Sequence, residues 1–101
     1  METQKSIASW AADTFGIATP ARCATRMNEE VAELLAHLTS PVTIPYEAAE
    51  ECADILIVLY VLAERLGTDI HAGVERKMAI NRARKWKLDG SGCGQHIEED
   101  Q

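Results

Sequence analysis

Aromatic side chains are scarce, at 5% of 101 residues, although 47% of the chain is apolar. A β-sandwich draws on aromatic and β-branched residues, so this shortage argues against one and for packed helices rich in Ala and Leu. Positive charge is also in the minority. Ten Lys and Arg against sixteen Asp and Glu leave a net charge of −6, which makes the whole chain a poor partner for nucleic acid. The three cysteines form no CxxC pair and no even set, so neither a disulfide framework nor a zinc knuckle is indicated. No apolar run is long enough to span a bilayer; the longest covers residues 55 to 63. The N-terminus lacks the basic start and apolar core of a signal peptide. These absences predict a soluble, cytoplasmic protein with no membrane partner, and the length suits one domain.

What is present is helical periodicity. A first helix is expected from about Thr3 to Phe15, stopped by Gly16, with Ile7, Trp10, Ala11 and Thr14 at helical spacing. A second should start near Pro20, a residue suited to a first turn, and run to about Leu38. TSPVTIP (39 to 45) reads as a loop. The third helix should open at Pro45, with acids in its early turns, and close at Gly67. A fourth, capped by Thr68 or Asp69, should reach roughly Trp86. The expectation is therefore an all-α, four-helix bundle-like protomer with a central antiparallel helical hairpin. Residues 1–88 form its domain, and 89–101 a Gly-rich, then acidic, mobile tail.

EECADILIVLY (50 to 60) carries an apparent conflict. On a helix, Glu51, Asp54, Ile55, Val58 and Leu62 share one face, so two carboxylates lie in line with the apolar stripe. An unpaired buried carboxylate is very costly and needs a partner. EEVAELL (29 to 35) repeats the pattern on the second helix. Across a short hairpin, about 1.5 Å of rise per residue brings Glu33 level with Glu51 and Glu30 level with Asp54. Four carboxylates would then converge, and they cannot all stay ionised unaided. Arg26, one turn before Glu30, is a single cation among four anions. Zinc would want Cys or a second His in the cluster, and His37 is at the wrong spacing from Glu33 for a Glu-x-x-His di-iron motif. An all-oxygen set suits Mg²⁺ or Mn²⁺, as one ion or two. The competing interpretation is an ordinary solvated acidic face. Cys52, next in the chain to Glu51, is expected to pack as a small apolar side chain.

RKMAINRARKWK (76 to 87) gathers most of the basic residues and contains no acid. Lys77, Asn81 and Arg84 fall on one side of a helix and could hold phosphate oxygens. Alternatively, this is a solvated basic helix end, or a nucleic-acid-binding helix with Trp86 stacking on a base. Trp10 is either a stacking platform for a base or a core tryptophan. An acidic metal patch together with a cationic helix is what a Mg²⁺–polyphosphate substrate requires.

Glu29, Glu30 and Glu33 (E-E-x-x-E), then Glu51 and Asp54 (E-x-x-D), then Lys77 and Asn81 (K-x-x-x-N) resemble the MazG-type all-α nucleotide pyrophosphohydrolases. The likeness extends from about residue 25 to 87, and ASWAADTFG resembles the first helix of short members. It implies hydrolysis of a nucleoside triphosphate between the α and β phosphates to monophosphate and pyrophosphate, in cleaning of the nucleotide pool. It further implies Mg²⁺ dependence, with Mn²⁺ a possible substitute, and a homodimer or a dimer of dimers (a homotetramer). Carried over by motif, Glu30, Glu33, Glu51 and Asp54 would be the catalytic metal ligands. Lys77 and Asn81 would contact phosphate, with Arg84 a third. Glu29 points away from Glu30 and Glu33, towards the hairpin edge. The alternatives are a phosphoribosyl-ATP pyrophosphohydrolase and a non-enzymatic nucleic-acid-binding or interaction module.

Overall fold

Thr3 starts the first helix by a reciprocal cap. Its hydroxyl accepts from the Ser6 amide at 3.0 Å, and its own amide donates to the Ser6 hydroxyl at 2.7 Å. Helix α1 (Gln4–Phe15) then runs to Gly16, whose φ of 84° ends it. Thr19 caps α2 (Pro20–Leu38) by accepting from the Arg22 amide, with Pro20 in the first turn. Helix α3 (Pro45–Arg65) has no side-chain cap, but Glu47 in its first turn complements the dipole. It closes at Gly67, with φ 68°, where the Gly67 and Thr68 amides turn back onto the Glu64 and Ala63 carbonyls. Helix α4 (Ile70–Ala83) begins directly after Asp69. The computed structural model describes residues 1–97. Among them no helix is long and apolar enough to cross a membrane.

The chain divides into two compact units, Met1–Ile70 and the residues from His71 onward. In the first, α3 packs against both α1 and α2. Its buried apolar residues are all small: Ala8 on α1, Cys23 on α2 and Ala63 on α3. Small residues allow helices to approach closely, whereas Val31, Leu35 and Leu38 of α2 and Leu56 of α3 stay exposed. Cys23 is the buried cysteine. Cys52, expected to be packed, is exposed, because it is turned about 100° from Glu51 and so away from that residue's face of α3.

The second unit departs from the sequence expectation. Helix α4 ends at Ala83 rather than near Trp86, and the residues beyond it pair with the expected tail in a hairpin of β1 (Trp86–Leu88) and β2 (Gly94–His96). The strands are antiparallel, with Trp86 opposite His96 and Leu88 opposite Gly94. Asp89 accepts from the Ser91 amide at 2.9 Å, and Gly90 and Gly92 adopt φ near 85° and 88°. Trp86 stands edge-on to His96 and donates its indole N–H to the Asn81 carbonyl at 2.8 Å, tying the hairpin to α4. The acidic end of the expected tail, 98–101, lies outside the described residues.

One side chain ties the first unit together. The Gln4 amide nitrogen donates to the Glu64 carboxylate at 2.9 Å and to the Thr68 carbonyl at 2.6 Å, and its oxygen accepts from the Ile70 amide at 2.9 Å. It joins the start of α1 to the end of α3 and the turn beyond. Gln4→Ala should lower stability by about 1–3 kcal/mol, since net hydrogen bonds are worth roughly 1 kcal/mol each and partners are left bare. A urea melt followed by circular dichroism measures this, and an unchanged midpoint would show that these bonds contribute nothing net.

Candidate functional site

Glu30 of α2 and Glu51 and Asp54 of α3 bring one carboxylate oxygen each to within 4.8 Å of one another. The i, i+3 spacing of Glu51 and Asp54 sets both on one face of α3, and the packing of α2 on α3 supplies the third. Glu30 is only 4% exposed. The Oε2 atoms of Glu30 and Glu51 are both buried without a hydrogen-bond partner. Unpaired buried carboxylate oxygens from converging side chains are what a hard divalent cation satisfies, and this donor set fits Mg²⁺ or Mn²⁺.

The outer edge of the trio is covered by a cation. Arg26 Nη2 lies 2.7 Å from Glu30 Oε1, and Nη1 lies 2.9 Å from Glu29 Oε2. Burial pushes the Glu30 carboxyl above the ordinary range; Arg26 opposes this, while Glu33 and Asp54 push it further up. The Arg26 guanidinium is held protonated chiefly by its hydrogen bond to Glu29, then by the charge of Glu30. Glu33, the fourth carboxylate expected, is near enough to Glu30 to raise its pKa but is not one of the three whose oxygens converge. It faces a second hollow shared with Glu47, Glu51 and His37. His37 Nε2 approaches Glu51 Oε1 at 3.4 Å, and Nδ1 approaches Glu47 at 3.7 Å. Spacing along α2 excluded His37 from a Glu-x-x-His motif but could not reveal its neighbours on α3.

A cavity of about 520 Å³ opens beside Glu30 and Asp54. Its walls include Trp10 and Phe15 of α1, Arg22, Cys23 and Arg26 of α2, and Val58 of α3. Trp10 and Phe15 meet edge to face, with centroids 5.4 Å apart, and Trp10 remains 55% exposed. Trp10 is therefore an exposed part of the cavity wall and not a core tryptophan. Phe15 and Arg22 were not singled out in the sequence, where an aromatic at a helix end and an isolated Arg carry no signal of their own. Lys77 and Asn81 lie on α4 and Arg84 just beyond its last turn, in the second unit; Lys77 is exposed, and Asn81 and Arg84 are partly so.

The raised Glu30 pKa has a consequence for stability. A carboxyl whose folded pKa exceeds its unfolded value stabilises the fold fully below the unfolded value, and that contribution is lost as pH rises through the folded value. In chelator-treated protein, Glu30→Gln should therefore melt above wild type at pH 7. An orphaned buried polar atom costs about 1–3 kcal/mol, and 1 kcal/mol corresponds to about 4–8 °C in a domain of this size. The difference should shrink as pH falls towards 4.5, the ordinary value for glutamate, and vanish below it. A difference independent of pH would show that Glu30 is not under this strain.

Comparison with known proteins follows the same lines. The MazG-like family matches residues 24–97. A dATP/dGTP diphosphohydrolase of Salmonella phage PMBT28 is 36% identical over 96 residues, 95% of this chain but 31% of that protein, so the chain spans about a third of that relative's length. A dATP/dGTP diphosphohydrolase of Cyanophage S-2L is 33% identical over 96 residues, covering 95% of this chain and 86% of the relative. Among solved structures, the Cyanophage S-2L MazG-like pyrophosphohydrolase bound to dGDP and three catalytic Mn²⁺ ions per active site superposes with a TM-score of 0.76. That match has 33% identity and covers 96% of this chain and 91% of the other. On these grounds the chain belongs to the MazG-like family.

Proposed function

We propose that the chain is a Mg²⁺-dependent nucleoside triphosphate pyrophosphohydrolase that cleaves between the α and β phosphates, with dATP and dGTP the first substrates to test. One observation carries the reading: three carboxylates converge, two of them with an orphaned oxygen, and Glu30 and Asp54 of this trio line a cavity walled by Trp10 and Phe15. Anion-neutralising chemistry and an aromatic surface for a base thus lie side by side. The substrates are those of the two phage relatives, dATP/dGTP diphosphohydrolases, and the Mn²⁺ of the solved neighbour supports a metal requirement.

Glu30, Glu51 and Asp54 would hold the divalent cation, with Glu33 supporting Glu30 or binding a further ion. A cation there supplies charge that acidifies water and neutralises the leaving pyrophosphate. The carboxylates fix its position from two rigid helices, with α2 and α3 forming the central antiparallel hairpin of residues 1–88. Trp10 stacks on the base, and the apolar wall at Val58 keeps water from the far side of the cavity. Lys77, Asn81 and Arg84 bind phosphate oxygens by virtue of their fork-shaped, ammonium and amide donors. The exposed Val31, Leu35, Leu38 and Leu56 support assembly as a homodimer or homotetramer. A cytoplasmic setting agrees with three free cysteines.

The bond cleaved is read by isotope. In cleavage between the α and β phosphates, water attacks the α phosphorus and pyrophosphate leaves. Hydrolysis in ¹⁸O-labelled water should then place the label on the monophosphate. Label in pyrophosphate, or release of orthophosphate with diphosphate, would reject this reaction. Asp54→Asn should cut kcat by more than the about 10–100-fold typical of losing a group that merely supports a metal ligand. Wild-type turnover that persists in excess chelator would remove the metal from the mechanism.

Trp10→Ala tests the base site. It should raise KM about tenfold or more, since stacking of a base on an aromatic ring is worth about 1–3 kcal/mol. kcat should change less, because stacking is made equally in the bound substrate and the transition state. An unaltered KM would return Trp10 to a packing role.

A further inference from the structure

Glu29 is an acid of the E-E-x-x-E motif outside the convergent trio, and Arg26 is the cation that already flanks that trio. Their geometry links them. Arg26 holds Glu29 with one guanidinium nitrogen at 2.9 Å and Glu30 with the other at 2.7 Å. It covers Oε1 of Glu30 and leaves Oε2 buried and unpartnered. The two seats differ in character. Glu30 is buried, whereas the side chain of Glu29 is 46% exposed and that of Arg26 55% exposed, so the guanidinium can move off Glu30 without leaving solvent or its other partner. Arg26 also lines the 520 Å³ cavity, beside Arg22.

We propose that Arg26 competes with the divalent cation for Glu30, that Glu29 is the seat that retains it once the cation is bound, and that Arg26 then contacts the phosphates of the nucleotide. The inference rests on the metal reading of the Glu30, Glu51 and Asp54 cluster. Its electrostatics are direct. The two oxygens of one carboxylate are so close that a guanidinium on one and a dication on the other repel strongly. Without metal, Arg26 partly neutralises a cluster of like charges that would otherwise strain the fold. With metal, the same side chain remains hydrogen-bonded to Glu29 and presents its released nitrogens to the cavity. A guanidinium matches phosphate oxygens there in a way that lysine would not. Arg26 is thus a substrate-contacting residue, and Glu29 a positioning residue that acts through it.

The experiment is titration of the full chain with Mn²⁺ alone, read by calorimetry and by the loss of free-ion electron paramagnetic resonance signal, for wild type, Arg26→Gln and Glu29→Gln. Both substitutions are at half-exposed side chains, and circular dichroism verifies folding. Arg26→Gln should bind Mn²⁺ about 3- to 10-fold more tightly, the range expected for removing one partly exposed ion-pair partner. Glu29→Gln should bind it about 2- to 3-fold more weakly, because Arg26 then has only Glu30 to hold. At saturating Mn²⁺, Arg26→Gln should raise KM for dATP or dGTP about tenfold while kcat falls less. Unchanged or weaker Mn²⁺ binding by a folded Arg26→Gln would overturn the competition. An unchanged KM would overturn the phosphate contact. If Arg26→Gln does not fold, Glu29→Gln decides: equal or tighter binding of Mn²⁺ overturns the proposal. Failure of wild type and both variants alike to bind millimolar Mn²⁺ would instead overturn the metal reading itself, a result distinct from tight binding that the substitutions leave unchanged.

Discussion

Negative charge buried at the contact of α2 with α3 is the constraint on which the first unit depends. Glu30 is as buried as the alanines at the helix contacts, yet one of its oxygens has no partner and it shares its surroundings with Glu51 and Asp54. Such an arrangement opposes folding, because burial and like charges both disfavour ionised carboxylates. The fold offsets the cost in several ways. Arg26 supplies a cation at the outer edge, and His37 stands close to Glu51. Small residues elsewhere let the helices approach, so the acids are pressed together rather than splayed into solvent. The strain is therefore localised at the place where a ligand can relieve it, as is common at functional sites.

Most of the helical framework was legible in the sequence because each boundary has a local chemical cause. Pro20 and Pro45 mark first turns, Thr3 and Thr19 accept at N-termini, and Gly16 and Gly67 adopt positive φ at the stops. The second unit was less legible. Strands of three residues are too short to display alternation, and the WKL of β1 continues the basic helical pattern without a break. What ends α4 early is tertiary: the Trp86 indole turns back to the Asn81 carbonyl, and His96 comes back across the strand pair to meet its ring. Asp89, Gly90 and Gly92 turn the chain between the strands, but a Gly-rich run reads as a tail until its strands are seen to pair.

The site divides along the same line. Helical pitch alone grouped Glu30, Glu33, Glu51 and Asp54, because rise per residue and a short connection determine which positions of neighbouring helices come level, and all but Glu33 converge. Gln4, Phe15 and Arg22 could not be found that way. The roles of Gln4 and Phe15 depend on where α1 lies against α3, which nothing in the spacing of α1 encodes, and Arg22 of α2 is placed only by the cavity that it shares with Phe15. His37 shows the limit of a motif argument: a spacing rule on one helix excludes a ligand pattern, but it says nothing about proximity to Glu47 and Glu51 on another.

The contrast between rigid acids and mobile cations has a chemical logic. Carboxylates that are to hold a small, hard cation must be fixed before it arrives, since each freely rotating ligand would lose entropy on binding. Helices α2 and α3 supply that fixity, and the capped or proline-set starts of both helices protect it from fraying. Cations that meet a polyphosphate have the opposite requirement, because the charge they neutralise moves as pyrophosphate departs. Arg26, half-exposed and shared between two acids, is suited to that work in a way that buried Glu30 is not. Val58 and the ring of Trp10 share the cavity wall with Arg26, Glu30 and Asp54, so apolar surface flanks both kinds of charge and each attraction there is stronger than it would be on an open helical surface.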